Sequence, residues 1–83
     1  KNYGITADDY VVLLEQQGGC CAVCKTNNPG GRSGNFFHVD HNHTTGLVRG
    51  LLCAGCNLAI GHIREDPETA RRIADYLEAH ALV

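Results

Sequence analysis

At 83 residues and 9.0 kDa, with 43% hydrophobic and 19% charged residues, the chain has the size and composition of a single small globular domain covering residues 1–83, which excludes two-domain and disordered readings. A formal net charge of −2 excludes bulk attraction to nucleic acid, so any DNA binding must come from a local cluster. With three Tyr, two Phe, no Trp and no Met the core must be thin, and five Cys and five His become the first place to look for what stabilises it.

The apolar runs are far shorter than the roughly 18 residues of a membrane span, and the opening KNYGITADD has no basic stretch followed by an apolar one, so neither a membrane segment nor a signal peptide is expected. The first element reads as a helix. Thr6 is a good N-cap, Asp8 and Asp9 fall in the first turn, Ala7, Tyr10, Val11 and Leu14 recur with helical spacing, and Gly18 and Gly19 end it. Residues 20–34 are too rich in Gly, Asn and Pro for regular structure and read as a loop holding a metal knuckle. Residues 37–40 and 47–52 are short β-rich runs joined by His-Asn-His-Thr-Thr-Gly, which predicts an antiparallel hairpin. A short helix is expected over 54–60, ending near Gly61. The last helix, over 67–82, is marked by Asp66 as N-cap, Pro67 at its first position and an apolar stripe of Ala70, Ile73, Ala74, Leu77 and Ala81. That stripe is expected to cover the domain's own core.

Cys21-Ala-Val-Cys24 and Cys53-Ala-Gly-Cys56 are two Cys-x-x-Cys pairs. Two residues between thiolates let both turn onto one ion, and four soft ligands complete the closed tetrahedral site preferred by structural Zn²⁺. Disulfides would need an oxidising compartment, and a redox pair should accompany a βαβ pattern that this chain lacks. Cys20, beside Cys21, reads as a small half-buried residue outside the site. Bound zinc is expected to govern folding.

Between the knuckles, His38, Asp40, His41 and His43 crowd into six residues at the end of a predicted strand. Taken alone, the cluster is compatible with a second metal site, a general base beside a metal, or solvated turn residues. If one ion joins the knuckles, Asn57 is brought near the strand that carries Asp40 and His41.

The run HVDHNHTTGLVRGLLCAGCN, with CAVC before it and DPETARRIADYL after it, resembles the HNH (ββα-metal) endonucleases, and among them the recombination endonuclease VII branch. The resemblance covers residues 3–77. It implies a small α+β, zinc-stabilised domain in which a ββα-metal hairpin and helix are flanked by N- and C-terminal helices. It further implies a metal-dependent DNA endonuclease in which Asp40 and Asn57 hold one Mg²⁺ or Mn²⁺ and His41 is the general base. His43 would orient or contact the phosphate, and the products would carry a 3′-hydroxyl and a 5′-phosphate. Hard oxygen ligands suit Mg²⁺, and an imidazole titrating near neutrality suits a general base. Arg49 belongs to the matched segment as a substrate contact, whereas Lys25, Arg32, Arg64, Arg71 and Arg72 are phosphate-contact candidates by charge alone. His38 reads equally as an ordinary strand residue. His62 follows Asn57 by five residues, which places the two about 140° apart on a helix and makes it a surface residue.

Strict alternation would send Asp40 and His41 to opposite faces, so the strand must end or bend there if both serve one site. A phage or bacterial enzyme of the cytoplasm, acting on DNA with no membrane partner, is implied. The last helix is short and its one apolar stripe is needed for the core, so little surface is left for a large interface and a monomer or weak dimer is expected. The competing reading is a zinc-stabilised nucleic-acid or protein binding module without cleavage.

Overall fold

A computed structural model describes residues 5–31 and 36–81. Arg32 and the expected end of the last helix at residue 82 lie outside this range. The elements run α1 (Ala7–Gln16), β1 (His38–His41), β2 (Val48–Leu52), α2 (Ala54–His62) and α3 (Pro67–Ala79), a small α+β arrangement around one two-stranded sheet.

Helix α1 begins with a capping box: the Thr6 hydroxyl accepts from the Asp9 backbone N–H, and the Asp9 carboxylate accepts from the Thr6 N–H. It ends where Gly18 and Gly19 take left-handed backbone angles, φ 71° and 76°, and the Gly19 N–H closes back on the Leu14 carbonyl. Its inward face consists of Tyr10, Leu13 and Leu14, whereas Val11 is exposed. The buried stripe is thus rotated from the expected one. On the same face Tyr10 turns its hydroxyl inward to accept from the Phe37 N–H at 2.9 Å.

The hairpin forms within one residue of the predicted boundaries, and β2 ends at Leu52 as read. Asn42 organises its turn by accepting from the Thr44 and Thr45 N–H groups, and Gly46 supplies the left-handed position at φ 78°. Pairing runs His38 with Leu52, Val39 with Leu51 and Asp40 with Gly50, then slips so that His41 faces Val48 and Arg49 is the extra residue. A bulge of this kind bends the ladder and re-aims side chains, and it falls between Asp40 and His41, the place where a site shared by the two would need a break.

The core is thin. Cys21, Phe37, Leu51, Leu52 and Cys53 are the buried apolar residues, backed by Tyr10, Leu13, Leu14, Ala22, Val39, Cys56 and Ile60. Helix α1 packs on β2, and α2 packs on both strands. Gln17 completes the edge of β2: its carboxamide oxygen accepts from the Leu51 N–H, and its nitrogen donates to the carbonyls of Leu51 and Cys20.

Helix α3 corrects an expectation. Asp66 caps it, accepting from the Glu68 and Thr69 N–H groups and the Thr69 hydroxyl, and Pro67 opens it as read. Its apolar stripe does not cover the core. Among the described residues no other helix or strand backs α3, leaving Ile73 at 45% and Leu77 at 61% exposure. The four-residue connection after α2 leads α3 away from the sheet, and Pro67 and Ala70 of its first turn line a cleft with residues of the hairpin and α2. No described helix is long and apolar enough to cross a membrane.

Candidate metal centre and hairpin site

The Sγ atoms of Cys21, Cys24, Cys53 and Cys56 all lie within 4.8 Å of one another, a cluster able to hold a metal ion. Cys24 and Cys53 approach to 3.6 Å, far beyond a disulfide bond and close to the roughly 3.8 Å edge of a tetrahedron with Zn–S distances of about 2.3 Å. The knuckle turns supply the geometry. Lys25 takes a left-handed backbone at φ 67° and donates its N–H to the Cys21 carbonyl, while Cys53 is the N-cap of α2 and its sulfur accepts from the Cys56 N–H.

Electrostatics support a cation here. Burial opposes ionisation of Cys21, but hydrogen bonds from the backbone of Cys53, Cys24 and Val23 outweigh it and lower the thiol to about 6. Burial first, then the neighbouring sulfurs of Cys53, Cys24 and Cys21, push Cys56 up to about 12. Four clustered thiols therefore resist full ionisation until a positive ion sits among them. Cys20 stays outside the cluster, its sulfur 3.4 Å from the Gly18 carbonyl oxygen.

The hairpin carries the second constellation. Arg49, the bulge residue, donates Nε to Asp40 Oδ2 at 2.8 Å and Nη2 to Asp40 Oδ1 at 3.0 Å, a two-pronged pair that uses both carboxylate oxygens. Hydrogen bonding to Asp40, aided by the charges of Asp40 and Glu65, raises the Arg49 guanidinium above its already high range. Arg49 Nη2 also reaches Glu65 Oε1 at 3.1 Å, and the other Glu65 oxygen lies 2.6 Å from His43 Nδ1. The rings of His43 and His41 are 4.9 Å apart. Asp40, Arg49, Glu65, His43 and His41 thus form one contiguous chain of contacts. Asp40, Arg49 and Glu65 also line a cleft of about 370 Å³ whose apolar wall includes Leu52, Ile60, Ile63 and Pro67.

A family model described as recombination endonuclease VII matches residues 1–79. The chain belongs to that family. It is 49% identical over 76 residues to the Gene 59 protein of Mycobacterium phage D29 and 45% identical over 76 residues to the Gene 59 protein of Mycobacterium phage L5. Each match covers 90% of this chain and 44% of the relative, so the chain spans less than half the length of these phage proteins. No solved structure matches it significantly.

Within this endonuclease VII domain, Asn57 lies half-buried one residue beyond the last cysteine, on the helix that packs against β1. His38 is exposed at the start of β1 and His62 is exposed at the end of α2, both as ordinary surface positions. Among the charge-only candidates, Lys25 turns its ammonium back onto the Ala22 carbonyl, and Arg71 and Arg72 pair with Glu68 on α3. Arg64 is exposed in the turn after α2.

Glu65 is the member of the constellation that sequence reasoning missed. Its backbone and that of Arg64 are both left-handed, φ 59° and 57°, a state that costs a non-glycine residue roughly 1–2 kcal/mol. The Glu65 N–H closes on the Ile60 carbonyl, and the reversal turns its carboxylate toward the hairpin. Its signal in the sequence is weak: one acid immediately before the Asp-Pro that opens a helix.

Proposed function

We propose that this domain is a metal-dependent DNA endonuclease of the HNH (ββα-metal) type, held together by one structural Zn²⁺ on Cys21, Cys24, Cys53 and Cys56. The observation that carries the reading is the contiguous set of Asp40, Arg49, Glu65, His43 and His41 at a bulged hairpin flanked by the two knuckles. Membership of a nuclease family supports it.

The donor set is compatible with a catalytic Mg²⁺ or Mn²⁺. Two carboxylates, Asp40 and Glu65, already face one positive group, the Arg49 guanidinium, and hard oxygens gathered about a cation are what such an ion requires. Asp40 and Asn57 would hold the ion once Arg49 turns from Asp40 toward a phosphate. When bound, the ion stabilises charge on the phosphoryl oxygens and the departing 3′ oxygen.

The residues of the chain do the remaining work. His41 Nδ1 is buried, so Nε2 is the nitrogen that takes a proton from the attacking water. His43 contacts the phosphate from the exposed side of the hairpin. Arg49 changes partner from carboxylate to phosphate, both of which match its planar fork. With a net charge of −2, attraction to DNA would rest on Arg49 released from Asp40 and on the bound cation. The products carry a 3′-hydroxyl and a 5′-phosphate, and the setting is the cytoplasm of a bacterial host, in keeping with the phage relatives.

One observation favours a second reading. Arg49 occupies both oxygens of Asp40, as it would in a binding module that does not cleave. Supercoiled plasmid, incubated with zinc-loaded protein and Mg²⁺ or Mn²⁺, separates the two. Nicking that His41→Ala abolishes supports the enzyme, whereas retention of DNA without nicking supports the module.

A further inference from the structure

We infer that Glu65 is a positioning residue of the nuclease site, fixing the orientation and tautomer of His43 through one carboxylate oxygen and the stance of Arg49 through the other. The inference deepens the endonuclease reading and rests on it. Glu65 lies outside the hairpin and on neither knuckle, yet it joins two hairpin side chains whose contacts lead to Asp40 and His41.

Three observations point to it. The contacts are close and divided: Oε2 lies 2.6 Å from His43 Nδ1 and Oε1 lies 3.1 Å from Arg49 Nη2, so each oxygen has its own partner. The Glu65 side chain is 22% exposed although the flanking residues Arg64 and Asp66 are exposed, so it is turned inward. Finally, Arg64 and Glu65 hold successive left-handed conformations that L-residues adopt at a cost, and this reversal lets a residue between α2 and α3 face the hairpin.

The chemistry follows from the acceptor-only nature of a carboxylate. Nδ1 of His43 must carry the proton in that contact, which leaves Nε2, on the far side of the ring from Glu65, as the nitrogen offered to substrate. His43 in turn lies against His41, so a fixed His43 ring limits the freedom of the proposed base. The pull of Glu65 on Arg49 gives the guanidinium a second anchor, so that it can leave Asp40 without swinging free into solvent. An acid in this role acts as the outer partners of metal-site histidines do, by orienting a neighbour.

The test uses the full zinc-loaded chain with Mn²⁺ on supercoiled plasmid, comparing wild type with Glu65→Ala, Glu65→Gln and Glu65→Asp. Nitrogen-15 NMR at alkaline pH, without Mn²⁺, reads the His43 tautomer. Glu65→Ala should lower kcat by about 10- to 100-fold with KM little changed, and Glu65→Asp should recover part of the loss. His43 should be protonated at Nδ1 in wild type and shift toward the Nε2–H form in Glu65→Ala. If Glu65→Ala does not fold, the isosteric Glu65→Gln takes its place. Wild-type cleavage matched by Glu65→Ala overturns the role of Glu65 and leaves the nuclease reading intact. A fall in kcat with no tautomer shift and no recovery by Asp reduces Glu65 to a structural contact and also overturns it. A wild-type protein that does not cut removes the nuclease reading itself, and a tautomer shift found there reports only a structural ion pair.

Discussion

Gln17 and Leu51 are joined by two hydrogen bonds between one carboxamide and one residue's backbone, so the side chain of Gln17 fills the place of a neighbouring strand along β2. Gly50 makes room for this, because a Cβ there would stand 3.1 Å from the Gln17 carboxamide oxygen. Leu51 is fully buried; its carbonyl also accepts from the Ala22 N–H, but its N–H has only the Gln17 amide to turn to.

Gln17→Leu should therefore destabilise the zinc-loaded domain by about 1–2 kcal/mol, since it strands the Leu51 N–H in the interior while the carbonyl keeps the Ala22 N–H. Urea denaturation at a fixed excess of Zn²⁺ measures it. A loss under a few tenths of a kcal/mol would mean that water replaces the amide.

Removing the metal should cost more than any single side chain. Elemental analysis is expected to find one zinc per chain, and complete chelation should abolish the cooperative thermal transition, as expected where metal binding supplies folding free energy. Cys21→Ser should lose the metal and Cys20→Ser should keep it. Retention by Cys21→Ser together with loss by Cys20→Ser would exchange their roles.

Asp40→Ala and Asn57→Ala should weaken Mn²⁺ binding, followed by calorimetric titration, while zinc content stays at one per chain. His41→Ala should bind Mn²⁺ normally and lower cleavage by about 10² or more, the effect of deleting a general base. Full cleavage by a folded His41→Ala protein would exclude that role.

Arg64→Gly should stabilise the domain by about 0.5–1 kcal/mol, because glycine adopts the φ of 57° found there without strain. A raised thermal midpoint checks it, and an unchanged or lowered one would mean that the Arg64 side chain stabilises the turn by as much as its backbone costs.

Asp66 titrates below the usual carboxylate range, chiefly through its hydrogen bond to Thr69 and then the Glu68 N–H. A carboxyl whose folded value is depressed stabilises fully above its unfolded value, near 3.9, and loses that contribution as pH falls through the lower folded value. Helical circular dichroism from α3 should thus decline at the acid end of that window in wild type, and Asp66→Ala should be weaker already at neutral pH.

The capping of α1 by Thr6 and of α3 by Asp66 and Pro67, the hairpin and the four-cysteine cluster were legible in the sequence, because each depends on local chemistry at fixed spacing. Gln17 was not, since a polar residue just past a helix looks like any other until the chain folds back beside Leu51. Glu65 was hidden by backbone: nothing in Arg-Glu-Asp announces two left-handed residues. The stripe on α3 was read correctly as apolar and wrongly as inward, because periodicity reports which residues share a face and not what the face meets.

The cysteine cluster also has a topological consequence. Asp40, His41, His43 and Arg49 all lie on the stretch between Cys24 and Cys53, so an ion bound by all four sulfurs ties that stretch into a closed ring with both ends on one anchor. A single peptide-bond cut within the ring would leave two fragments that each keep one pair of ligands. Two separately made pieces, one ending after Cys24 and the other beginning before β1, would then recombine only when the ion is present, making metal the partner that rejoins a split chain.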